Sequence, residues 1–126
     1  MNLLLDTHVL LWALADDPAL SAAARAAITD GRNVVFVSAA TAWEIAIKQA
    51  LGKLRAPTDS YLQELQRHRF TPLDITTEHA LAVEHLPPLH ADPFDRLLVA
   101  QAQIEKLTLV THDKRIRDYA VATIKA

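Results

Sequence analysis

The sequence predicts an α/β fold, with a mostly parallel central sheet of about five strands and helices on both faces. Three observations predict it. Short apolar or β-branched runs alternate with longer segments of helical periodicity, the pattern of right-handed β–α–β crossovers. Capping residues mark helix starts at Ser21, Ser38 and Asp92. A length of 126 residues, 51% hydrophobic and 22% charged, suits one compact domain spanning residues 1–126.

The elements follow in order. Asn2–Leu5 is an apolar run that reads as a buried strand closed by Asp6-Thr7. His8–Ala15 is apolar nearly all round, so this helix needs cover on two sides. Ser21 caps a helix over Ala22–Asp30, and Gly31 stands where a left-handed C-terminal residue belongs. Asn33–Val37, β-branched and aromatic, is the second strand. Ser38 caps the helix Ala39–Leu51, which Gly52 ends. Ala39, Ala42, Trp43, Ala46, Ile47 and Ala50 recur there at helical spacing and predict its buried face. Thr41, Glu44 and Lys48 form the adjoining polar stripe.

Thr58 or Asp59 opens a helix reaching Arg67, and Phe70–Ile75 is a strand that Pro72 demotes toward an edge or its beginning. Thr76 or Thr77 caps a helix over Glu78–His85, and Leu86–Ala91 is a loop. Asp92-Pro93 is a strong start signal for the long helix Pro93–Lys106. Leu107–Thr111 is a strand, Asp113–Asp118 a short helix and Val121–Ile124 a last strand.

Composition excludes several classes. Cysteine is absent, which removes disulfides, thiolate catalysis and cysteine metal sites together. The longest apolar runs fall far short of a membrane span. The first residues lack a basic region and a cleavage site, so a cytoplasmic protein is expected. Net charge is −2, not the basic balance of a protein that merely holds nucleic acid. Yet drawing four of the 15 acids into one metal site leaves 11 against 13 basic residues.

In open parallel sheets, sites lie beyond the carboxyl ends of the strands, which directs attention to Asp6, Ser38 and Thr111-His112-Asp113. Each aspartate also has a plainer reading. Asp6, Asp92 and Asp113 suit helix N-caps, and Asp95 suits the dipole of a first helical turn. Glu44 and Lys48 suit an exposed i,i+4 pair. Position alone decides none of these. The convergence of Asp6, Glu44, Asp95 and Asp113 on one sheet edge favours a shared site, since packed like charges resist ionisation without a cation between them. Hard oxygen ligands select Mg²⁺ or Mn²⁺, ions that activate water and neutralise a phosphoryl transition state.

Four segments resemble PIN-domain ribonucleases, and in particular the VapC-type toxins of bacterial toxin–antitoxin pairs. They are Leu3-Leu4-Leu5-Asp6-Thr7-His8, Trp43-Glu44-Ile45, Asp92-Pro93-Phe94-Asp95-Arg96-Leu97-Leu98 and Leu107-Thr108-Leu109-Val110-Thr111-His112-Asp113. The resemblance spans nearly the whole chain and implies a PIN-like α/β/α sandwich. It implies a Mg²⁺- or Mn²⁺-dependent endoribonuclease whose acids are Asp6, Glu44, Asp95 and Asp113, with Asp6 and Asp95 the principal metal ligands. Thr7 and Thr111 match supporting polar positions, and Asp92 is an extra acid that serves as cap, outer ligand or both. Hydrolysis by an activated water leaving a 5′ phosphate and a 3′ hydroxyl, a homodimer and a VapB-like antitoxin are further implications. The RNA backbone is then held by basic residues drawn from Lys48, Lys53, Arg55, Arg96, Lys114 and Arg115. In two places the chain departs from the pattern: Lys106 stands where glycine is frequent, and His112 where arginine is.

Other classes fare worse. A haloacid dehalogenase-type phosphatase wants a second acid two residues after Asp6, where His8 stands. Dinucleotide binding wants a glycine-rich turn that Asp6-Thr7-His8-Val9 lacks. The six histidines show no zinc spacing and read as dispersed surface residues. The remaining alternative is a non-catalytic RNA- or protein-binding module on the same fold, against which the four intact acids argue.

Overall fold

The computed structural model describes residues 1–56 and 58–126. The strands are β1 (Asn2–Leu5), β2 (Val34–Ser38), β3 (Phe70–Leu73), β4 (Thr108–Thr111) and β5 (Thr123–Lys125). All pairings are parallel and the strand order is β3-β2-β1-β4-β5. The helices are α1 (Thr7–Ala15), α2 (Ala22–Thr29), α3 (Ala39–Ala50), α4 (Tyr61–Arg67), α5 (Thr77–Ala82), α6 (Pro93–Glu105) and α7 (Lys114–Arg117). The chain extends the sheet from β1 through β2 to β3, then returns to place β4 on the other side of β1. The gap between the carboxyl ends of β1 and β4 is therefore the point at which a parallel sheet offers a binding crevice.

Strand alternation sorts the core into two layers. Leu3 and Leu5 of β1, Val35 and Val37 of β2 and Val110 of β4 pack with Val9, Leu10, Leu20, Ala24 and Leu65. Leu4 and Leu109 face the opposite way, into a cluster with Leu86, Leu98, Val99, Ile116 and Tyr119. All three leucines of β1 have no exposed surface, so each contributes about 1.5–3 kcal/mol of burial. β1 is the central strand, and its carboxyl end is held from both faces. β3, which carries Pro72, is an edge strand as its sequence predicts. Among the described residues, no helix is long and apolar enough to cross a membrane.

Several local expectations are corrected. The buried residues of α3 are Ala40, Thr41, Glu44 and Ile45, whereas Trp43 is 59% and Ile47 36% exposed. Its polar stripe, not its apolar one, faces inward, because that face abuts the carboxyl ends of the strands. Gly31 has no left-handed backbone: α2 ends at Asp30 in an extended conformation (φ −70°), and Asn33 Nδ2 donates to Ala27 O at 2.8 Å. Gly52 does take the left-handed conformation (φ 71°). β5 lies two residues later at its start than Val121, and α5 gives way to a tighter turn over Val83–His85.

Lys106 closes α6 in the left-handed conformation (φ 56°), its amide donating to Ala102 O. That backbone costs a residue with a Cβ about 1–2 kcal/mol, while glycine adds about 0.5–1 kcal/mol of unfolded-state entropy. Lys106→Gly is therefore expected to stabilise the fold by about 0.5–1 kcal/mol, read as a higher urea midpoint at unchanged slope. A lower midpoint contradicts this account of the turn.

Candidate active site

The site is built by local caps that also aim carboxylates. Asp6 follows the last residue of β1, and its Oδ1 accepts the Val9 amide at 2.9 Å, starting α1. The other oxygen, Oδ2, accepts the Thr111 hydroxyl at 2.5 Å from the end of β4. Cap and site are thus one side chain, with a separate role for each oxygen. Asp92 caps α6 by accepting the Asp95 amide at 3.0 Å, and Pro93 fills the first helical position. Asp95 sits one turn in, beside the core. Asp113 caps α7 through the Arg115 amide at 2.8 Å and pairs with the Arg115 guanidinium at 3.1 Å.

Glu44 is buried and doubly held. Thr7 Oγ1 donates to its Oε1 at 2.6 Å, and Lys48 Nζ to its Oε2 at 2.5 Å. The pair is not the exposed i,i+4 contact that helical spacing alone suggests: the Glu44 side chain is 8% exposed. The polar face of α3 looks into the pocket.

Asp6, Thr7, Glu44, Lys48, Asp92, Asp95, Asp113 and Arg115 line one pocket with His8, His90 and His112. Five carboxylates face two permanent cations there. Of the other basic candidates, Arg55 lines a separate apolar groove. Arg96 departs most from the expected RNA contact. Its guanidinium donates to Val83 O, Pro87 O and Leu86 O and to the Tyr119 hydroxyl, at 3.0 to 3.3 Å. It is a clamp on the loop before α6 rather than a free cation.

His90 was hidden in the sequence. The ring is 5% exposed and its Nε2 lies 2.8 Å from Asp95 Oδ2 and 3.3 Å from Asp113 Oδ2. The histidines are therefore not all dispersed on the surface. His79 too is buried, its Nδ1 accepting the Thr76 amide at 3.1 Å. The one signal for His90 is its place two residues before Asp92, within a loop that has no periodicity to read.

Crowding sets the protonation of the acids. Burial raises the Asp95 carboxyl to about 6, and the neighbouring Asp92 charge adds to the shift while the His90 contact opposes it. Burial also raises Asp6, against the lowering effect of the Thr111 hydroxyl. Burial pushes Asp113 upward as well, but the hydrogen bonds and charge of Arg115 outweigh it and hold this carboxyl low. Carboxylates pushed up by desolvation and by one another favour a cation between them. The donors fit a hard divalent ion: carboxylate oxygens predominate, and Asp95 and Asp113 offer oxygens within 4.8 Å of each other.

The PIN domain family model matches residues 3–122. The chain is 37% identical over 121 residues to Ribonuclease VapC22 of Mycobacterium tuberculosis, covering 94% of this chain and 92% of that protein. The chain belongs to the PIN domain family, in its VapC branch. Ribonuclease VapC16 of the same organism is 45% identical over a shorter span of 58 residues, or 44% of this chain and 41% of that protein. In fold, the chain matches VapBC2 from Rickettsia felis, solved bound to a DNA fragment from its promoter. The TM-score is 0.72 at 16% identity, covering 100% of this chain and 99% of that one. VapBC-1 from nontypeable Haemophilus influenzae matches with a TM-score of 0.64 at 20% identity, covering 99% and 98%. These two likenesses are likenesses of fold.

A carboxyl raised in the folded state binds its proton more tightly than in the unfolded chain. Stability then falls as pH rises through the folded value. For Asp95 the window runs from about pH 4, the ordinary range, to about 6. In EDTA, urea unfolding is expected to show greater stability at the acid end of this window, and Asp95→Asn to flatten the slope. An unchanged slope in Asp95→Asn contradicts the crowding.

Proposed function

We propose that the chain is a metal-dependent endoribonuclease of the VapC type, a toxin held in check by a VapB-like antitoxin and acting in the cytoplasm. The observation that carries this reading is the gathering of Asp6, Glu44, Asp95 and Asp113 with Asp92 into one pocket at the carboxyl ends of β1 and β4. The family and the ribonuclease names of its relatives supply the substrate class. In this reading Asp6 and Asp95 are the principal holders of Mg²⁺ or Mn²⁺, with Glu44 and Asp113 completing the cage directly or through water. Such an ion lowers the pKa of water and shields charge developing on a phosphoryl group.

The chain's own residues do the rest. Thr111 and Val9 orient Asp6, and Thr7 and Lys48 orient Glu44, so neither carboxylate has to reorganise when an ion arrives. Asp92 acts as cap and as a source of local negative charge. Lys48 and Arg115 stand at the rim with side chains 43% and 63% exposed, placed to meet phosphate oxygens. A grip made of such contacts weakens as salt rises.

Two apolar surfaces support the protein partners. Leu11, Trp12, Leu54, Ala56 and Tyr61 line a groove with Arg55 and Glu64, suited to an amphipathic antitoxin segment. Trp43 packs edge-to-face on Phe94 at 5.2 Å and stays largely exposed, as an apolar patch beside the pocket that suits a second copy of the chain.

The test is incubation of antitoxin-free protein with total RNA. Discrete fragments are expected with Mg²⁺ or Mn²⁺ and none with EDTA. Asp6→Asn and Asp95→Asn are each expected to lose at least about 100-fold in rate, the scale of removing one charge-stabilising group. Cutting that persists in EDTA and in both variants rules out this mechanism.

A further inference from the structure

The His90 ring joins two carboxylates that arrive from different elements, Asp95 from the first turn of α6 and Asp113 from the junction of β4 and α7. The contacts around the ring set its tautomer. The Asp92 amide points at Nδ1 from 3.5 Å, so the lone pair of a neutral ring lies on Nδ1. Nε2 then carries the hydrogen, and both neighbours of Nε2 are carboxylate oxygens, at 2.8 and 3.3 Å. A metal-ligating nitrogen needs the opposite arrangement, a lone pair on Nε2 and a hydrogen on Nδ1, which here sets N–H against N–H.

We propose that His90 is a positioning residue of the metal centre rather than a ligand: its Nε2–H ties Asp95 to Asp113 and sets the spacing of the two carboxylates. This rests on the metal-dependent reading above. Arg96 completes the device from behind. By donating to the carbonyls of Val83, Leu86 and Pro87 it fixes the loop that carries the histidine, and the His90 carbonyl lies 3.5 Å from its Nη1. The motif Asp92-Pro93-Phe94-Asp95-Arg96 thus supplies a cap, a metal-facing acid and the clamp for a third residue upstream. A ring 5% exposed, in a loop so held, loses little entropy on ordering its partners. Hydrogen-bonded partners of metal-binding carboxylates are worth about 10–100-fold in affinity elsewhere.

The first measurement is the ring tautomer of His90 in ¹⁵N-labelled, antitoxin-free protein, by long-range ¹H–¹⁵N spectra in EDTA and at saturating Mg²⁺, with His90→Gln assigning the signals. The Nε2–H tautomer is expected in both conditions. An Nδ1–H tautomer in either, or an Nε2 shifted as a metal ligand, overturns the proposal. The second is Mn²⁺ affinity by calorimetry. His90→Ala is expected to bind about 10–100-fold more weakly, and His90→Gln, which keeps an N–H donor, to recover most of the loss. Equal affinity in folded His90→Ala overturns the proposal while leaving the metal reading intact. Unaltered protein that takes up no Mn²⁺ overturns both, and is distinguished by that result alone.

Discussion

Holding carboxylates together in a partly dry pocket is the constraint around which this site is arranged. Five acids share the space at the carboxyl ends of β1 and β4. Each is held by bonds that other parts of the structure need anyway. Asp6, Asp92 and Asp113 start helices, and Glu44 receives a threonine and a lysine. Coupling the acids to helix caps means that they cannot swing apart to relieve their repulsion without unravelling a first helical turn. Burial in this pocket raises the carboxyls of Asp6 and Asp95, and the Asp92 charge adds to the shift of Asp95.

The sheet explains why the acids come from such distant stretches of chain. A parallel sheet points every strand the same way, so every strand delivers its following residue to one edge. With β1 in the middle and its three leucines fully buried, its end is anchored from both faces of the sheet. The neighbouring strand ends and helix starts are packed around it. The two core layers, sorted by the alternation of Leu3, Leu4 and Leu5, lock the helices on each face. Helices α3 and α6 thereby hold Glu44 and Asp95 in place without relying on surface loops.

Most of this was legible in the residues. The apolar run Asn2–Leu5, the β-branched run before Ser38, the Asp92-Pro93 start and the edge placement implied by Pro72 all correspond to the observed elements. The same four acids that resemble a family pattern stand in one pocket. Legibility failed where a rule assumes that polar residues face water. In α3 that assumption assigns Trp43 to the core and Glu44 to solvent, and the structure has the reverse, because this helix turns its polar face to a carboxylate site. Gly31 failed for a different reason: the chain leaves α2 through an extended Asp30 and makes no left-handed turn there, whereas α6 closes with one at Lys106, a residue that no propensity places there. His90 lies in a loop with no periodicity to read, and only the three-dimensional path of that loop shows Arg96, from the first turns of α6, to be its clamp.

The Thr111 hydroxyl that bonds Asp6 comes from 105 residues along the chain. β1 also takes its second neighbour, β4, from about as far along the sequence. Closing the pocket therefore costs the entropy of a long loop, and a substitution that loosens β4 unseats the carboxylate at the tip of β1 as surely as one in β1 itself.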